Sequence, residues 1–455
     1  MKHDIPVSLG ETYEINIESL GAFGEGVGRV DGFTLFIDGA LKDEKILGKV
    51  TEIKKNYAVC GLEQILEKSP DRIEPVCPLF YECGGCQLQH LSYKAQLAYK
   101  YELVKDLIQR IGKIKDAEIL PILGAEEPLH YRNKMQFPVK KEGGKTVIGC
   151  FKRGTHTVID STHCYIENES NNELVNAARE IINKLKFSIY DEDTHKGVIR
   201  HIMGRVGEKN ELMAVIVTAT KKFPKGKEFS KLLKERLPNL VSVHQNIQTY
   251  RNNVILGRDT IKLFGKETIY DKIGKLRFHI SPRSFFQVNT KQAEVLYETA
   301  LRFAGLTGNE TVIDAYCGTG TISLFLAQKA RKVYGVEIVS SAIADAKKNA
   351  RENNIRNAEF IVGDAIKVLP KLYKTGVRAD VIVLDPPRAG TTEIVLETFA
   401  KMQPQRIVYV SCNPATLARD LAFLETLNYK TKKIQSVDMF PQTNSVESVA
   451  LAERA

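Results

Sequence analysis

The stretch that decides the fold is ETVIDAYCGTGTISLFLAQKA, residues 310–330. It begins with an apolar run of strand length, passes through a glycine turn and ends in an apolar segment of helical length. Gly318 and Gly320 form the turn, and Asp314 precedes it. Ser323 stands where a dinucleotide fingerprint would have its third glycine. This order predicts the first unit of a Rossmann-like α/β domain that binds a ligand beyond its strand ends.

Acidic residues end the strands that follow. Glu337 is the last but one residue of KVYGVEI, Asp364 follows IVG, and Asp385 follows VIVL. Four carboxylates around a glycine turn would repel a pyrophosphate, so S-adenosylmethionine, a sulfonium with a free amine, fits better than NAD. Capping of helix N-termini is the alternative role for one or two of them. The predicted cofactor-binding residues are Asp314, Gly318, Gly320, Glu337, Asp364 and Asp385.

Cys412 stands at the end of another apolar run, in RIVYVSCNPATLARD, residues 406–420. Residues 407–411 predict a buried strand, and Asn413-Pro414 ends it. The cysteine is then at the carboxyl tip of a strand. It is either a small core residue, since free cysteine is commonly buried, or a nucleophile.

A nucleophilic Cys412 has a chemical use beside Asp385, where Arg388 rather than an aromatic residue follows two prolines. A thiolate that adds to carbon-6 of uracil makes carbon-5 nucleophilic. After methyl transfer a base must remove the carbon-5 proton. Glu447, at the start of the last apolar segment, is the candidate base, although a solvated strand-end carboxylate is the commoner fate of a lone glutamate.

At these residues the sequence resembles the RNA uracil-5-methyltransferase family, in particular its bacterial 23S rRNA type. The matching segments are SPRSFFQVN (281–289), DAYCGTG (314–320), DPPRAG (385–390), SCNPAT (411–416) and MFPQTNSVESVAL (439–451). The resemblance implies methylation of carbon-5 of a 23S rRNA uridine by S-adenosylmethionine, with Cys412 as nucleophile and Glu447 as proton acceptor. The residues that it places against the methyl donor are Gln287, Tyr316, Glu337 and Asp385.

Three cysteines lie close together in CPLFYECGGCQLQH, and a fourth follows in DSTHCYIEN. Three close thiols with a remote fourth suit a four-ligand metal site, which an iron–sulfur cluster or a structural zinc would satisfy. The resemblance implies a 4Fe-4S cluster with a folding or RNA-positioning role. Its implied ligands are Cys77, Cys83, Cys86 and Cys164.

Glycines punctuate short strands over residues 7–68, a pattern typical of a small β-barrel. The resemblance identifies this barrel as an OB-like, RNA-binding TRAM domain. The expected domains are the barrel over 1–68, a central α+β iron–sulfur domain over 69–280 and a methyltransferase domain over 281–455. Apolar residues at helical spacing predict a helix over 93–112, which is a candidate to pack on the catalytic domain.

Charge predicts an anionic partner. Lys+Arg 65 against Asp+Glu 55 gives a net charge of +10, and residues 131–153 are rich in basic and aromatic residues. Such a segment either grips RNA, here 23S rRNA, or forms a solvated hairpin with its aromatics in the core. No apolar run reaches the roughly 18 residues of a membrane span, and the N-terminus lacks a signal-peptide core. We expect a cytoplasmic monomer with reduced cysteines and no disulfide-linked partner.

Two other interpretations stay open. A tRNA uracil-5-methyltransferase is disfavoured because that type usually lacks the barrel and the cysteine cluster. A non-catalytic RNA-binding protein on the same fold is disfavoured because Asp385, Cys412 and Glu447 are all present.

Overall fold

The computed structural model describes residues 5–455 of the chain. Residues 1–4, which the predicted barrel domain includes, lie outside this range. The chain divides into two compact units. The first comprises Met1–Leu103 and Phe440–Asn444, and the second comprises Val104–Met439 and Ser445–Ala455. The three-domain division made from the sequence stays a prediction.

A closed five-stranded barrel forms much of the first unit, with neighbouring strands in the order β1-β2-β3-β5-β4. At Gly28 a Cβ atom would lie 2.6 Å from the carbonyl oxygen of Asn16, so the close approach of the first two strands requires glycine. Alternate residues such as Ile15, Leu35 and Ile46 fill the interior. The predicted barrel is therefore confirmed. Its strands are β1 (Thr12–Leu20), β2 (Gly26–Val30), β3 (Phe33–Ile37), β4 (Lys45–Ile53) and β5 (Tyr57–Glu67).

Helix α1 (Tyr93–Arg110) and strand β6 (Glu118–Leu123) follow in the chain. Val104 and Ile108, in the last two turns of the helix, belong to the apolar core of the second unit. The sequence pattern predicted this helix.

A seven-stranded sheet lies in the middle of the chain, in the order β13-β12-β11-β10-β7-β8-β9. Two helices, α2 (Glu169–Leu185) and α3 (Gly226–Arg236), pack on one of its faces through side chains such as Leu174, Phe229 and Ile202. Its strands are β7 (Lys134–Glu142), β8 (Lys145–Phe151), β9 (Val158–Asp160), β10 (Ile199–Val206), β11 (Leu212–Thr218), β12 (Leu240–Ile247) and β13 (Asp259–Gly265).

The chain then forms a hairpin and an eight-stranded sheet in the order β18-β17-β16-β19-β20-β22-β21-β6. The first of these elements are β14 (Ile269–Ile273), β15 (Leu276–Ile280), α4 (Thr290–Ala304), β16 (Thr311–Ala315), α5 (Thr321–Ala327), β17 (Lys332–Glu337) and α6 (Ser340–Glu352). The remainder are β18 (Ala358–Val362), α7 (Ala365–Lys374), β19 (Val381–Leu384), α8 (Glu393–Met402), β20 (Arg406–Ser411), α9 (Pro414–Thr426), β21 (Tyr429–Val437) and β22 (Glu447–Arg454).

Strands β16 to β20 of the eight-stranded sheet are parallel, and their carboxyl ends meet at one edge. Strand β22 runs antiparallel to β20, so its first residue lies at that same edge. Strand β6 extends the sheet by parallel pairing with β21. This architecture confirms the predicted Rossmann-like α/β fold. In the part of the chain that the structure describes, no helix has both the length and the apolar character that crossing a bilayer requires.

Candidate active site

Cys412 lies between β20 and α9, at the carboxyl edge of the eight-stranded sheet, and is half-buried. Asn413 caps α9, because its side-chain oxygen accepts a hydrogen bond of 3.1 Å from the backbone N–H of Ala415. Pro414 is the first residue of the helix, a position that suits proline. The strand end and the helix cap therefore fix the backbone of the cysteine on both sides.

The neighbouring strands bring two carboxyl groups to Cys412. Ser411 pairs with Ser448 in the antiparallel ladder of β20 and β22, which places Glu447 across from the cysteine. Asp385 follows β19, the parallel neighbour of β20 on its other side. The structure thus brings Cys412, Glu447 and Asp385 to one edge of the sheet, and their predicted roles as nucleophile, base and donor-binding aspartate stay predictions.

Burial and like charge shape the electrostatics of this edge. Burial raises the pKa of the Cys412 thiol to about 11, and Glu447 and Asp385 add to the rise while Arg388 opposes it. Burial also raises the pKa of Glu447 well above its usual range, with Asp385 adding to the effect. The pKa of Asp385 rises to about 7 through burial. In the free protein the thiol is therefore mostly protonated at neutral pH, and an ionised Glu447 is a stronger base than an exposed glutamate.

Two substitutions should change the reactivity of Cys412 in opposite directions. Glu447→Gln removes a negative charge that raises the pKa of the thiol, so alkylation by iodoacetamide at about pH 9 should be faster, by up to about tenfold for one unit of pKa. Arg388→Gln removes the charge that lowers this pKa and should slow the alkylation. The rate of carbamidomethylation at Cys412, followed by mass spectrometry, measures both. Equal rates in the two variants would contradict this electrostatic account.

The loop after Asp385 is tied to α9. The carbonyl oxygen of Arg388 accepts hydrogen bonds from the Asn413 amide (3.1 Å) and from the Thr416 hydroxyl (3.3 Å). The Arg419 guanidinium donates to the carbonyl oxygen of Ala389 at 3.0 Å. The loop after Asp385 and the start of α9, which follows Cys412, are consequently joined by one hydrogen-bond network.

Asp420 connects the loop after Asp385 and helix α9 to Tyr316, which lies beside the glycine turn. Its Oδ2 atom accepts hydrogen bonds from the backbone N–H of Thr391 (2.9 Å) and from the Tyr409 hydroxyl (2.6 Å). The Thr391 hydroxyl lies 2.8 Å from the hydroxyl of Tyr316, one of the predicted cofactor-binding residues. Sequence analysis missed Asp420 and Thr391, because nothing in their local sequence distinguishes them from an ordinary helical aspartate and a loop threonine.

Asp420→Ala should destabilise the protein. The change leaves the buried Tyr409 hydroxyl without its acceptor, which costs about 2 kcal/mol of the free energy of unfolding. Asp116→Ala, at an exposed position, is the matched control and should have little effect. Urea denaturation of the two variants measures the difference, and equal stabilities would show that Asp420 does not anchor the loop.

The glycine turn after β16 is held by Glu337. The two side-chain oxygens of Glu337 accept hydrogen bonds from the backbone N–H groups of Gly318 (3.2 Å) and Val339 (2.8 Å). Gly318 and Gly320 have φ values of 52° and 81°, in the left-handed region that favours glycine. A Cβ atom at Gly318 would meet no atom within 4 Å. The turn therefore presents open space to a ligand, beside a carboxylate that is already positioned.

Asp314 and Asp364 have different hydrogen-bond partners and different local roles. Asp314 is fully buried and accepts a hydrogen bond of 2.5 Å from the Ser323 hydroxyl, while its Oδ1 atom has no partner among the described residues. Burial raises its pKa to about 7. Asp364 caps α7 by accepting from the backbone N–H of Ile366 at 3.0 Å. The capping alternative thus describes Asp364, whereas the buried, unpartnered oxygen of Asp314 fits a cationic or hydrogen-bond-donating ligand.

Tyr297 is a further residue at this edge that the sequence analysis missed. Its buried hydroxyl lies 3.1 Å from the Thr321 hydroxyl and is hydrogen-bonded to the Gln287 side chain. Burial raises the pKa of Tyr297, and Asp385 and Glu447 add to this rise. A tyrosine in an amphipathic helix predicts only a core residue, so no sequence signal singled it out. In the structure it positions Gln287, which the resemblance assigns to the methyl donor.

The three close cysteines lie in the first unit and Cys164 lies in the second. The Cys83 sulfur accepts a hydrogen bond from the backbone N–H of Gly85 at 3.3 Å. Burial raises the pKa of Cys77, and a charge on Cys83 would raise it further. Cys77 and Cys83 are therefore electrostatic neighbours, and a backbone N–H already points at one sulfur, as is common around metal–thiolate sites.

The basic segment 131–153 forms β7, β8 and their flanks. Phe137 is buried in the core beneath α2, so the core alternative holds for this aromatic. Phe151 is half-buried, and the Lys140 amine lies 6.0 Å from its ring centre. Stacking on an RNA base is consequently excluded for Phe137 in this fold.

Comparison with known proteins confirms the resemblance to the RNA uracil-5-methyltransferase family. The family model described as tRNA (Uracil-5-)-methyltransferase matches residues 92–455, and a TRAM domain model matches residues 6–59. An uncharacterized RNA methyltransferase of Clostridium tetani is 50% identical over 452 residues, which cover 99% of this chain and 98% of that relative. One from Halalkalibacterium halodurans is 50% identical over 453 residues, 99% of each chain.

A solved structure matches along nearly the whole chain. It is the tRNA (uracil-54, C5)-methyltransferase of Pyrococcus abyssi in complex with S-adenosyl-L-homocysteine. Its TM-score is 0.79 at 27% sequence identity, and the match covers 97% of this chain and 100% of that one.

Proposed function

We propose, from the premise that this chain belongs to the S-adenosylmethionine-dependent RNA uracil-5-methyltransferase family, that it methylates carbon-5 of a uridine in 23S rRNA through a covalent adduct with Cys412. The observation that carries the proposal is the meeting of Cys412, Glu447 and Asp385 at one edge of the sheet. The protein would act as a monomer in the cytoplasm.

The chemistry assigned to Cys412 and Glu447 balances. The Cys412 thiol first loses its proton to solvent, and the thiolate then forms a bond to carbon-6 of uracil while the electrons of the carbon-5–carbon-6 double bond move toward oxygen-4. Carbon-5 then takes the methyl group, and the donor's carbon–sulfur bond breaks. The Glu447 carboxylate accepts the carbon-5 proton, the double bond re-forms, and the thiolate leaves. A uridine in folded RNA must first be extruded from its stack to reach this edge.

The residues proposed to hold the methyl donor are those around the glycine turn. S-adenosylmethionine supplies an electrophilic methyl group on a sulfonium. Glu337 is positioned by two backbone N–H groups, and the space in front of Gly318 is open. The unpartnered oxygen of Asp314 and the side chains of Gln287 and Tyr316 complete the proposed set.

The choice of 23S rRNA over tRNA depends on the combination of the barrel with the cysteine cluster. We propose that Cys77, Cys83, Cys86 and Cys164 bind a 4Fe-4S cluster, and the N–H group directed at the Cys83 sulfur supports this assignment. Iron and sulfide analysis of anaerobically purified protein tests this assignment. Cys83→Ala should lose iron, whereas the control variant Cys60→Ala should keep the iron content of the wild type. Loss of iron in the control alone, or no iron in the wild type, would contradict the assignment.

A tRNA substrate is the second candidate. The Pyrococcus abyssi enzyme, described as acting on uracil-54 of tRNA, aligns with 97% of this chain, including the region of the barrel. The barrel by itself therefore does not separate the two substrates.

The test of the proposed function uses both RNAs. Unmodified transcripts of 23S rRNA and of tRNA are incubated with the protein and tritium-labelled methyl donor, and 5-methyluridine is mapped in each. The proposal predicts label in 23S rRNA at one or a few uridines, and loss of the same methyluridines from a deletion strain. Label confined to tRNA would show that tRNA, and not 23S rRNA, is the substrate. Label in neither RNA would overturn the proposed function.

A further inference from the structure

A pair of basic side chains lies on the face of the seven-stranded sheet opposite α2 and α3. Lys134 of β7 and Arg205 of β10 are direct partners in the antiparallel register. Ile202 and Val206 of the same strand belong to the core beneath the helices. Because successive residues of a strand point to opposite faces, Arg205 points to the other face of the sheet. Arg132 precedes Lys134 by two residues and brings a third positive charge to the same end of the strand.

The close approach of these buried cations destabilises the folded protein. Like charges directly opposite one another on neighbouring strands destabilise a sheet. Arg205 is only 3% exposed, and its Nε atom has no hydrogen-bond partner among residues 5–455. Burial, together with the charges of Arg205 and Arg132, lowers the pKa of Lys134 to about 7. A buried guanidinium nitrogen without an acceptor, opposite a lysine on which two arginines act, is the situation that a bound anion relieves.

The nearby carboxylate does not balance the group. Glu167 has a side chain that is 4% exposed, and it lies 3.2 Å from the Arg132 Nε atom. A second donor to it is the Asn171 amide at 3.0 Å. Glu167 is bound by Arg132 and Asn171, and its charge also acts on Lys134, so a single carboxyl group faces three cations and a net positive charge remains.

Arg205 and the residue next to Lys134 contact the loop of residues 281–289, which also contacts the glycine turn proposed to bind the methyl donor. Arg205 donates a hydrogen bond to the carbonyl oxygen of Ser284. Asn133, next to Lys134, donates to the carbonyl oxygen of Gln287 at 3.1 Å. The Thr319 hydroxyl of the glycine turn donates to the carbonyl oxygen of Phe285 at 3.4 Å. One loop thus touches both the cations and the turn, and the Phe285 side chain on it is 67% exposed.

We propose that Lys134, Arg205 and Arg132 bind a phosphate group of the RNA backbone beside the loop of residues 281–289. This inference rests on the proposed function, since it places the substrate of that same site. A phosphodiester offers two anionic oxygens, which suit the planar guanidinium of an arginine and the point charge of a lysine. Binding of a phosphate at this position would set the register of the RNA relative to the extruded uridine.

The test measures RNA binding, so that it does not depend on methylation. Filter binding of a 23S rRNA transcript is compared between wild type, Lys134→Gln and the control Lys184→Gln. Lys184 lies on α2, on the opposite face of the same sheet, and is exposed. Lys134→Gln should weaken binding roughly tenfold and reduce the slope of log Kd against log salt by about 1. The control should match the wild type in both quantities.

Stability separates RNA binding from a purely structural role. Because Lys134→Gln removes a charge that faces other cations, its thermal unfolding midpoint should equal or exceed that of the wild type. Lys134→Arg, which keeps the charge, should restore most of the affinity and the salt slope. Wild-type affinity and slope in Lys134→Gln would overturn the proposal, and so would equal losses in Lys134→Gln and Lys184→Gln. Normal methylation of RNA alongside such a result would leave the proposed function intact.

Discussion

Replacing Cys412 by alanine is expected to lower the rate of RNA methylation by roughly 10⁴-fold or more, because the proposed mechanism assigns the bond to carbon-6 to its thiol. The half-buried position of Cys412, outside the apolar core, predicts a small change in stability. Binding of RNA and of the methyl donor should persist, since neither depends on the thiol in this account. Single-turnover methylation with saturating protein separates the chemical step from binding.

The matched control for this change is Cys150→Ala, which replaces another half-buried cysteine on β8. It should retain wild-type methylation. If Cys412→Ala keeps more than about a tenth of the wild-type single-turnover rate, nucleophilic catalysis by this residue is excluded, since loss of a nucleophile costs far more.

Glu447→Gln is expected to trap the reaction after methyl transfer. The amide has nearly the size of the carboxyl group but cannot accept the carbon-5 proton, so elimination of the thiol should slow by about 10²- to 10⁴-fold. A denaturation-resistant complex of protein and methylated RNA should therefore accumulate. Gel electrophoresis with labelled RNA, or with a labelled methyl donor, measures this complex.

The control is Glu453→Gln, six residues further along the same strand. It should turn over normally and accumulate no complex. If Glu447→Gln loses methylation without accumulating the complex, Glu447 acts before methyl transfer, for example by orienting uracil, and another base removes the proton.

The sequence predicted the parts of the site that depend on local order. Strand tips follow from apolar runs, so the positions of Asp385 and Cys412 at one sheet edge could be inferred before the fold was known. The role of Asn413-Pro414 also followed from local chemistry, and the structure adds that Asn413 caps the helix behind the cysteine. These inferences required only that parallel strands present their carboxyl ends together.

What could not be predicted depends on register and on distant contacts. The meeting of Lys134 with Arg205 is set by the pairing of β7 with β10, about 70 residues apart in the chain, and a shift of one residue would put them on opposite faces. Asp420 acquires its role only where α9 meets Thr391 and Tyr409. Strand β6 joins the eight-stranded sheet through β21, more than 300 residues later in the chain.

The most direct measurement of the central claim uses RNA that contains 5-fluorouracil. Fluorine cannot leave carbon-5 as a proton does, so Cys412 and the methylated base should remain joined after incubation with the methyl donor. Mass spectrometry of the digested complex should then find a fluorinated, methylated nucleotide on the peptide that contains Cys412, and Cys412→Ala should give no adduct. No adduct with the wild type on an RNA that it methylates, or an adduct that survives Cys412→Ala, would contradict the account.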